Sequence, residues 1–180
     1  MKRIIVIGVT GSGKSTFSKK LSNILGLKYI QLDELFWLPN WEMTPDDQFF
    51  KKIDEATKDS SWIIDGNYNR TNHIHWPKAD TVIWIDLPLW LTFYQNLSRS
   101  FNRALFRKEI WEGTGNKESF SRMFSKDSIV RWLFKTYRPH KKRNEDRLKS
   151  IEYSHINFHR LRSRREISDF LLMVAKRSDT

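Results

Sequence analysis

One stretch near the start of the chain has the residue types and spacing to hold a phosphate. Gly8-Val9-Thr10-Gly11-Ser12-Gly13-Lys14-Ser15, followed by Thr16, fits the pattern G-x-x-x-x-G-K-[ST]. The glycines permit backbone angles that other residues resist, so consecutive main-chain N–H groups can close round an anion. A helix beginning near Gly13 would aim its N-terminal dipole at the same charge. Lys14 would reach the β- and γ-phosphates of a nucleotide, and the Ser15 hydroxyl would ligate Mg²⁺.

Three carboxylates can complete such a site. Asp33, Asp65 and Asp86 each follow an apolar run that reads as a strand. Phosphoryl transfer needs a carboxylate to hold Mg²⁺, and uses another to orient or deprotonate an acceptor hydroxyl. Asp65, closing Trp62-Ile63-Ile64, is assigned to the metal with Ser15 and also borders the substrate. Asp33 is assigned to the acceptor. Asp86, before Leu87-Pro88, is read as structural, capping the helix that follows.

Cations come next. Arg99, Arg103 and Arg107 recur at i, i+4 and i+8 and so share a helix face. With Arg122, Arg131 and Arg138 they bias the middle of the chain positively. Arg99, Arg103 and Arg138, the last fixed by Pro139, are expected to neutralise a migrating phosphoryl group. Arg164 and Arg165 would sit in the first turn of a helix, where positive charge is disfavoured, so a phosphate or stacking role is expected of them. Arg70, after the Asp65-Gly66 turn, suits a substrate anion. Trp37 and Tyr68 are candidates for an acceptor pocket, with Trp41 and Trp76 beside them. The five histidines show no ligand spacing. Asn116-Lys-Glu-Ser119 lacks the Asp of a guanine-reading loop and has no strand before it.

These residues need elements to position them. Lys2–Gly8 reads as a buried strand and Ser15–Leu25 as a helix stopped by Gly26. Lys28–Asp33 reads as a second strand ending in its carboxylate, followed by an irregular aromatic stretch to Trp41. Thr44 is expected to cap a helix whose first residue is Pro45 and which turns Phe49, Phe50, Ile53 and Ala56 inward. Ser61–Asp65 and Thr81–Leu87 read as further strands, and Pro88 opens a long helix to about Lys108. Helical stretches are expected around Lys117–Phe124 and Asp127–Tyr137, then a basic run from Arg138 to Arg143, a weak fifth strand over Tyr153–Phe158, and a last helix opened by the capping box of Ser163 and Glu166. Strands alternating with helices predict a parallel sheet covered on both faces. Ligands then gather at the carboxyl ends of the strands, so Gly8, Asp33, Asp65 and Asp86 should converge.

The bulk numbers set bounds. The 180 residues suit one domain, and a net charge of +11 suits acidic partners: nucleotides, nucleic acid or an anionic membrane surface. With no cysteine there is neither a disulfide nor a Cys-based zinc site. The N-terminal apolar run dissolves into the glycine loop, too short for a secretory signal, and no stretch approaches the length of a membrane span. A cytoplasmic protein with no membrane partner is the expectation.

Beyond the glycine loop, Asp65-Gly-Asn-Tyr-Asn-Arg70-Thr71 is similar to the Asp-Gly-Phe-Pro-Arg-Thr turn of adenylate kinases, though Asn67-Tyr68 stands in place of Phe-Pro. Val82-Ile-Trp-Ile-Asp86-Leu-Pro88 resembles their next strand and helix start. With Leu32–Trp37, Trp62–Tyr68, Tyr137-Arg-Pro139 and Leu161–Ile167, the chain resembles an adenylate-kinase-related group often labelled "DNA topology modulation proteins". The resemblance implies an α/β phosphate-loop fold with five parallel strands in the order 2-3-1-4-5. It also implies an arginine-bearing lid inserted over about 107–143, and places the turn around Arg162–Arg165 near the adenine. The expectation is a single-domain kinase that uses ATP and Mg²⁺ to phosphorylate a small-molecule or nucleotide acceptor. The rival expectation, a nucleic-acid-associated regulator switched by nucleotide, rests on the charge and has no helix-turn-helix, zinc finger or RNP-type motif behind it.

Overall fold

Alternate residues along the central strands feed two separate cores, and this is what stacks the molecule in three layers. A computed structural model describes residues 1–106, 109–111, 114–117 and 129–178. β1 (Arg3–Gly8) buries Ile4, Ile5, Val6 and Ile7 almost completely. Ile4 and Val6 join Ile63, Ile83 and Ile85 on one face, under Phe17 and Leu21 of α1 (Lys14–Leu25) and Phe170 and Val174 of the last helix. Ile5 and Ile7 join Trp62, Ile64, Val82 and Trp84 on the other, under Phe36, Phe49, Ile53 and Trp76. Strands buried on both faces read as continuous apolar runs, the signature of a parallel sheet.

The remaining strands are β2 (Tyr29–Gln31), β3 (Trp62–Asp65), β4 (Thr81–Ile85) and β5 (Asn157–Leu161). All pair in parallel, in the order β2-β3-β1-β4-β5. Val6 and Gln31 both pair with Asp65, and Gly8 pairs with Ile85. Every strand therefore delivers its C-terminus to one edge of the sheet.

Among the described residues the α-helices are, in chain order after α1, α2 (Leu32–Phe36), α3 (Asp46–Ala56), α4 (Asn72–His75), α5 (Leu89–Phe106), α6 (Ile129–Lys149) and α7 (Arg164–Ser178). Several boundaries differ from the sequence reading. β2 ends at Gln31, and Asp33 lies in α2, because Leu32 and Phe36, one turn apart, both turn into the core. Thr44 does not cap α3. Its hydroxyl donates to Leu35 O (3.1 Å) and its N–H to Phe36 O (2.8 Å), which ties it back to α2, while Pro45 takes the cap position.

α6 runs through Pro139 instead of ending at Tyr137. An interior proline costs a helix about 3 kcal/mol, but here Leu133 on one side and His140 and Asn144 on the other are all buried, so tertiary contacts hold both halves in line. β5 begins four residues later than expected, because Tyr153 lies in a short 3₁₀ turn against Trp76 (4.9 Å). At the start of α7 the Ser163 half of the capping box forms, Glu166 N–H donating to Ser163 Oγ (3.1 Å), while the Glu166 carboxylate accepts from Arg162 N–H (2.9 Å), one residue before the cap. Arg107, Arg122, the helix expected up to Phe124 and most of the expected lid before residue 129 lie outside the described residues. Among those described, no helix is long and apolar enough to cross a membrane.

Candidate active site

The loop between β1 and α1 turns on two glycines in the left-handed region, Gly11 (φ +77°) and Gly13 (φ +90°), the second being the N-cap of α1. Only glycine holds such angles without strain, and space is equally restrictive at Gly11. A Cβ there would lie 2.6 Å from Thr92 O and 2.9 Å from Asn96 Cβ of α5. Gly11→Ala is therefore expected to push the loop off α5 and, where the loop is the seat of a nucleotide, to weaken ADP binding at least tenfold in a calorimetric titration. Unchanged affinity would show that the loop's shape does not set the binding.

Ser12 N–H donates to Val9 O (3.2 Å), while the Ser12 hydroxyl is buried without a partner. An orphaned hydroxyl is costly in a closed protein interior. It fits a loop whose remaining partner is an anion. Asn67, in the turn after β3, bridges back to the loop's first residue: Gly8 N–H donates to Asn67 Oδ1 (3.4 Å) and Asn67 Nδ2 to Gly8 O (2.5 Å).

Lys14 connects this loop to the carboxylates. Its ammonium donates to Val9 O (3.3 Å). Burial lowers its pKa, the charges of Asp65 and Asp33 oppose that, and Arg99 adds to it. Asp65, the last residue of β3, is 3% exposed. Burial raises its pKa, while Lys14 and hydrogen bonds from Ser15 and Tyr29 pull it down; Tyr29 Oη donates at 3.1 Å. The same burial and the Asp65 charge push the Tyr29 phenol well up, so it stays a donor. A buried charge is tolerated when it is paired and hydrogen-bonded, and Lys14 and Asp65 meet that condition through each other.

Asp33 accepts from Tyr68 Oη at 2.6 Å. Burial and the Asp33 charge raise the Tyr68 pKa, and Trp37 donates a hydrogen bond to it. Tyr68 is wedged against Phe36 (4.9 Å) and Phe49 (5.1 Å), which fixes its ring and hence Asp33. Arg70, expected at a substrate anion, is an exposed residue of the turn after β3. Its guanidinium lies over Phe36, Phe49 and Tyr68 and pairs with Asp46 (3.1 Å). Trp37 stacks on Trp111 (6.0 Å) with Trp41 edge-on to both. Asn116 clamps this group, accepting from Trp41 N–H (2.9 Å) and donating to Leu38 O (2.8 Å).

On the opposite flank, Arg99 reaches Thr10 Oγ1 (3.4 Å) and Asn96 Oδ1 (3.1 Å). Arg103 and Arg164 line the same cavity of about 440 Å³, together with Tyr94, Gln95 and Asn102. Gln95 joins it to the loop: its amide donates to Gly11 O (2.6 Å) and accepts from Arg164 (2.8 Å). Thr16 is exposed on the first turn of α1. Arg165 points to solvent with Asp169 at 3.7 Å, and Arg138 is exposed on α6. Asp86 is taken up by Arg160 (2.6 and 2.9 Å), which also holds Glu145 (2.9 Å) and lies over Trp84.

The structure thus gathers Gly8, Thr10, Gly11, Ser12, Gly13, Lys14, Ser15, Asp33, Asp65 and Arg99 at one edge, with Tyr68 and Trp37 behind Asp33. It leaves Arg165 and Arg138 at the surface. Asn67, Tyr29, Gln95 and Asn116 were missed by sequence reasoning. Only Asn67 carried a signal, its place in the turn directly after Asp65.

No protein-family model matches the sequence, and no curated protein matches it. Solved structures do match over nearly the whole chain. A gluconokinase from Sinorhizobium meliloti 1021 is 15% identical over 98% of this chain and 94% of its own, with a TM-score of 0.51. A shikimate kinase from Bacteroides thetaiotaomicron is 11% identical over 99% of both chains, with a TM-score of 0.52. A deoxyadenosine kinase from M. mycoides with bound dATP is 15% identical over 98% of this chain and 99% of its own, with a TM-score of 0.51. At these identities the likeness is one of fold: a five-stranded parallel sheet with flanking helices, as in phosphate-loop nucleotide kinases.

Proposed function

We propose that this chain is an ATP- and Mg²⁺-dependent phosphotransferase that moves the γ-phosphoryl group of ATP to a hydroxyl of a small acceptor. The observation that carries this reading is Lys14. It bonds the main chain of the glycine loop and feels the charges of two carboxylates, Asp65 at the end of β3 and Asp33 in α2. A phosphoryl group held by the loop and an acceptor held by Asp33 would meet across that ammonium.

Each residue then has a part. The loop from Gly8 to Thr16 binds the phosphates by N–H groups and hydroxyls, and the orphaned Ser12 hydroxyl gains an acceptor. Ser15 and Asp65 would hold Mg²⁺, already joined by a hydrogen bond. When bound, the ion supplies charge neutralisation at the phosphate oxygens. Lys14, Arg99 and Arg103 spread the charge of the migrating group. Arg138 and other cations of the 107–143 lid would add to this on closure. Arg164 faces the cavity beside the loop and belongs at the base end of the nucleotide, whereas Arg165 bears on the nucleotide only through long-range charge.

Asp33, oriented by Tyr68, accepts the acceptor's hydroxyl proton. Trp37 and Tyr68 back the acceptor. Arg70 is paired with Asp46 at the surface, an exposed pair weak enough to be exchanged for a substrate anion.

A phosphoryl-transfer screen with labelled ATP across nucleosides, nucleotides and small hydroxy acids tests the proposal. Multiple-turnover ADP formation that needs Mg²⁺ and one acceptor class is expected. ATP binding with no acceptor-dependent turnover in any class would overturn it. Steeply salt-dependent DNA binding in the same preparation would instead mark counterion release from many phosphate contacts.

A further inference from the structure

Helix α6 crosses the edge of the sheet where the strand ends gather. At one end Tyr137 Oη donates to Leu87 O (3.2 Å), just past the tip of β4. At the other, Arg147 donates to Asn69 Oδ1 (3.1 Å), in the turn after β3, and lies over Trp76 (4.4 Å). In the sheet, β1 stands between β3 and β4. The stretch of α6 between its two anchors therefore passes over the tip of β1, which is the glycine loop.

The side chains that α6 turns inward on this stretch are His140 and Asn144, 9% and 1% exposed. They are in contact, Asn144 Nδ2 lying 3.0 Å from His140 Nδ1 and 3.3 Å from His140 Nε2, while Asn144 Oδ1 accepts from Arg147 (3.1 Å). Buried polar groups are normally spoken for by structure. This pair lies above a loop of N–H donors and one orphaned hydroxyl.

We propose that His140, packed against Asn144, is a phosphate ligand on the roof of the loop and takes up a proton when a nucleotide binds. This rests on the reading of the loop as a nucleotide site. The groups facing the imidazole account for the proton. Lys14 rises from the loop below, and Arg143 and Arg147 flank it on α6; with burial they hold the free imidazole neutral, its pKa lowered to about 3. Asp65 and Asp33 lie beyond Lys14 and are engaged with it. A polyphosphate laid on the loop reverses the sign of the field. Imidazolium then gains a charge-assisted hydrogen bond, so binding below the pKa of the complex draws a proton from solvent.

Calorimetric titration with ADP, in two buffers of different ionisation enthalpy at pH 7, measures that proton. Wild type is expected to take up close to one proton more than His140→Gln, whose amide can still bond Asn144. Its affinity should fall by up to about tenfold per pH unit as pH rises between the pKa of the free imidazole and that of the complex, and level off above the latter, with a flatter profile for the variant. Equal proton uptake in the two proteins overturns the proposal while leaving ADP binding intact. Failure of wild type to bind ADP at all overturns the loop reading itself. Should His140→Gln not fold, ring ¹⁵N spectra of wild-type histidines decide the matter. An imidazole that becomes protonated on adding ADP supports the proposal, and none doing so overturns it.

Discussion

Lys14→Ala is expected, on the phosphotransferase proposal, to lower kcat/KM for acceptor-dependent ADP formation by about 10²–10³-fold or more, the range for losing one preorganised donor at a developing charge. The argument is electrostatic and local. The Lys14 ammonium is enclosed, with Val9 O at 3.3 Å and the charges of Asp65 and Asp33 acting on it. In such a low-dielectric setting a single positive charge is worth far more than at the surface. A triphosphate on the loop adds negative charge beside it and favours the ammonium form further.

Alanine also leaves Asp65 and Asp33 without their shared counter-charge. Burial already raises the Asp65 pKa, with Lys14 the largest opposing influence, so the variant's carboxyl should move higher still. Lys14→Arg is not a rescue. A planar fork cannot replace a compact ammonium folded back on the loop. Steady-state turnover together with a thermal melt checks both effects. A folded Lys14→Ala enzyme with unchanged turnover refutes the mechanism.

The sequence read best where one residue type is forced by local chemistry. Gly11 and Gly13 occupy angles that other residues resist, and Lys14 follows at a fixed spacing. Both are visible without knowing what lies across the fold. Asp65 was legible because a carboxylate at the end of an apolar run must arrive at the common edge of a parallel sheet. The order of the strands was carried by resemblance rather than by pattern, and the sheet has that order.

What escaped depends on pairs distant in sequence. Asn67 meets Gly8 across 59 positions and Asn116 meets Trp41 across 75. Gln95 links Gly11 to Arg164 from a helix face that reads only as polar. The pairing of Arg70 with Asp46 was not legible, because Asp46 opens a helix earlier in the chain. Pro139 read as a stop because local propensity cannot register the contacts that keep α6 straight on either side of it. His140 showed no ligand spacing, since its significance comes from what α6 crosses.

Asp65 and Asp86 offer the sharpest division between chemistry and architecture, because both are strand-end carboxylates read from the same pattern. Asp65→Asn keeps the shape and removes the charge next to Ser15. It is expected to raise the Mg²⁺ concentration needed for half-maximal turnover by about 10–100-fold, the range seen when groups that orient a metal site are lost. The apo fold should lose little. A neutral amide is easier to bury than a carboxylate whose burial already raises its pKa, and this offsets part of the lost attraction to Lys14.

Asp86→Asn should do the opposite. Its carboxylate, with a side chain 8% exposed, is held by two donors from Arg160, whose own side chain is 19% exposed and lies 4.1 Å over Trp84. Hydrogen bonds to charged groups are worth about 1.5–3 kcal/mol. Halving the charge balance of this pair should lower the melting temperature by roughly 4–10 °C in a domain of this size. Glu145, at 2.9 Å from Arg160 but 40% exposed, is too well solvated to take over. Mg²⁺ dependence should stay as in wild type. A magnesium titration and a melt on both variants decide it, and the reverse order of effects would move the metal site from β3 to the end of β4.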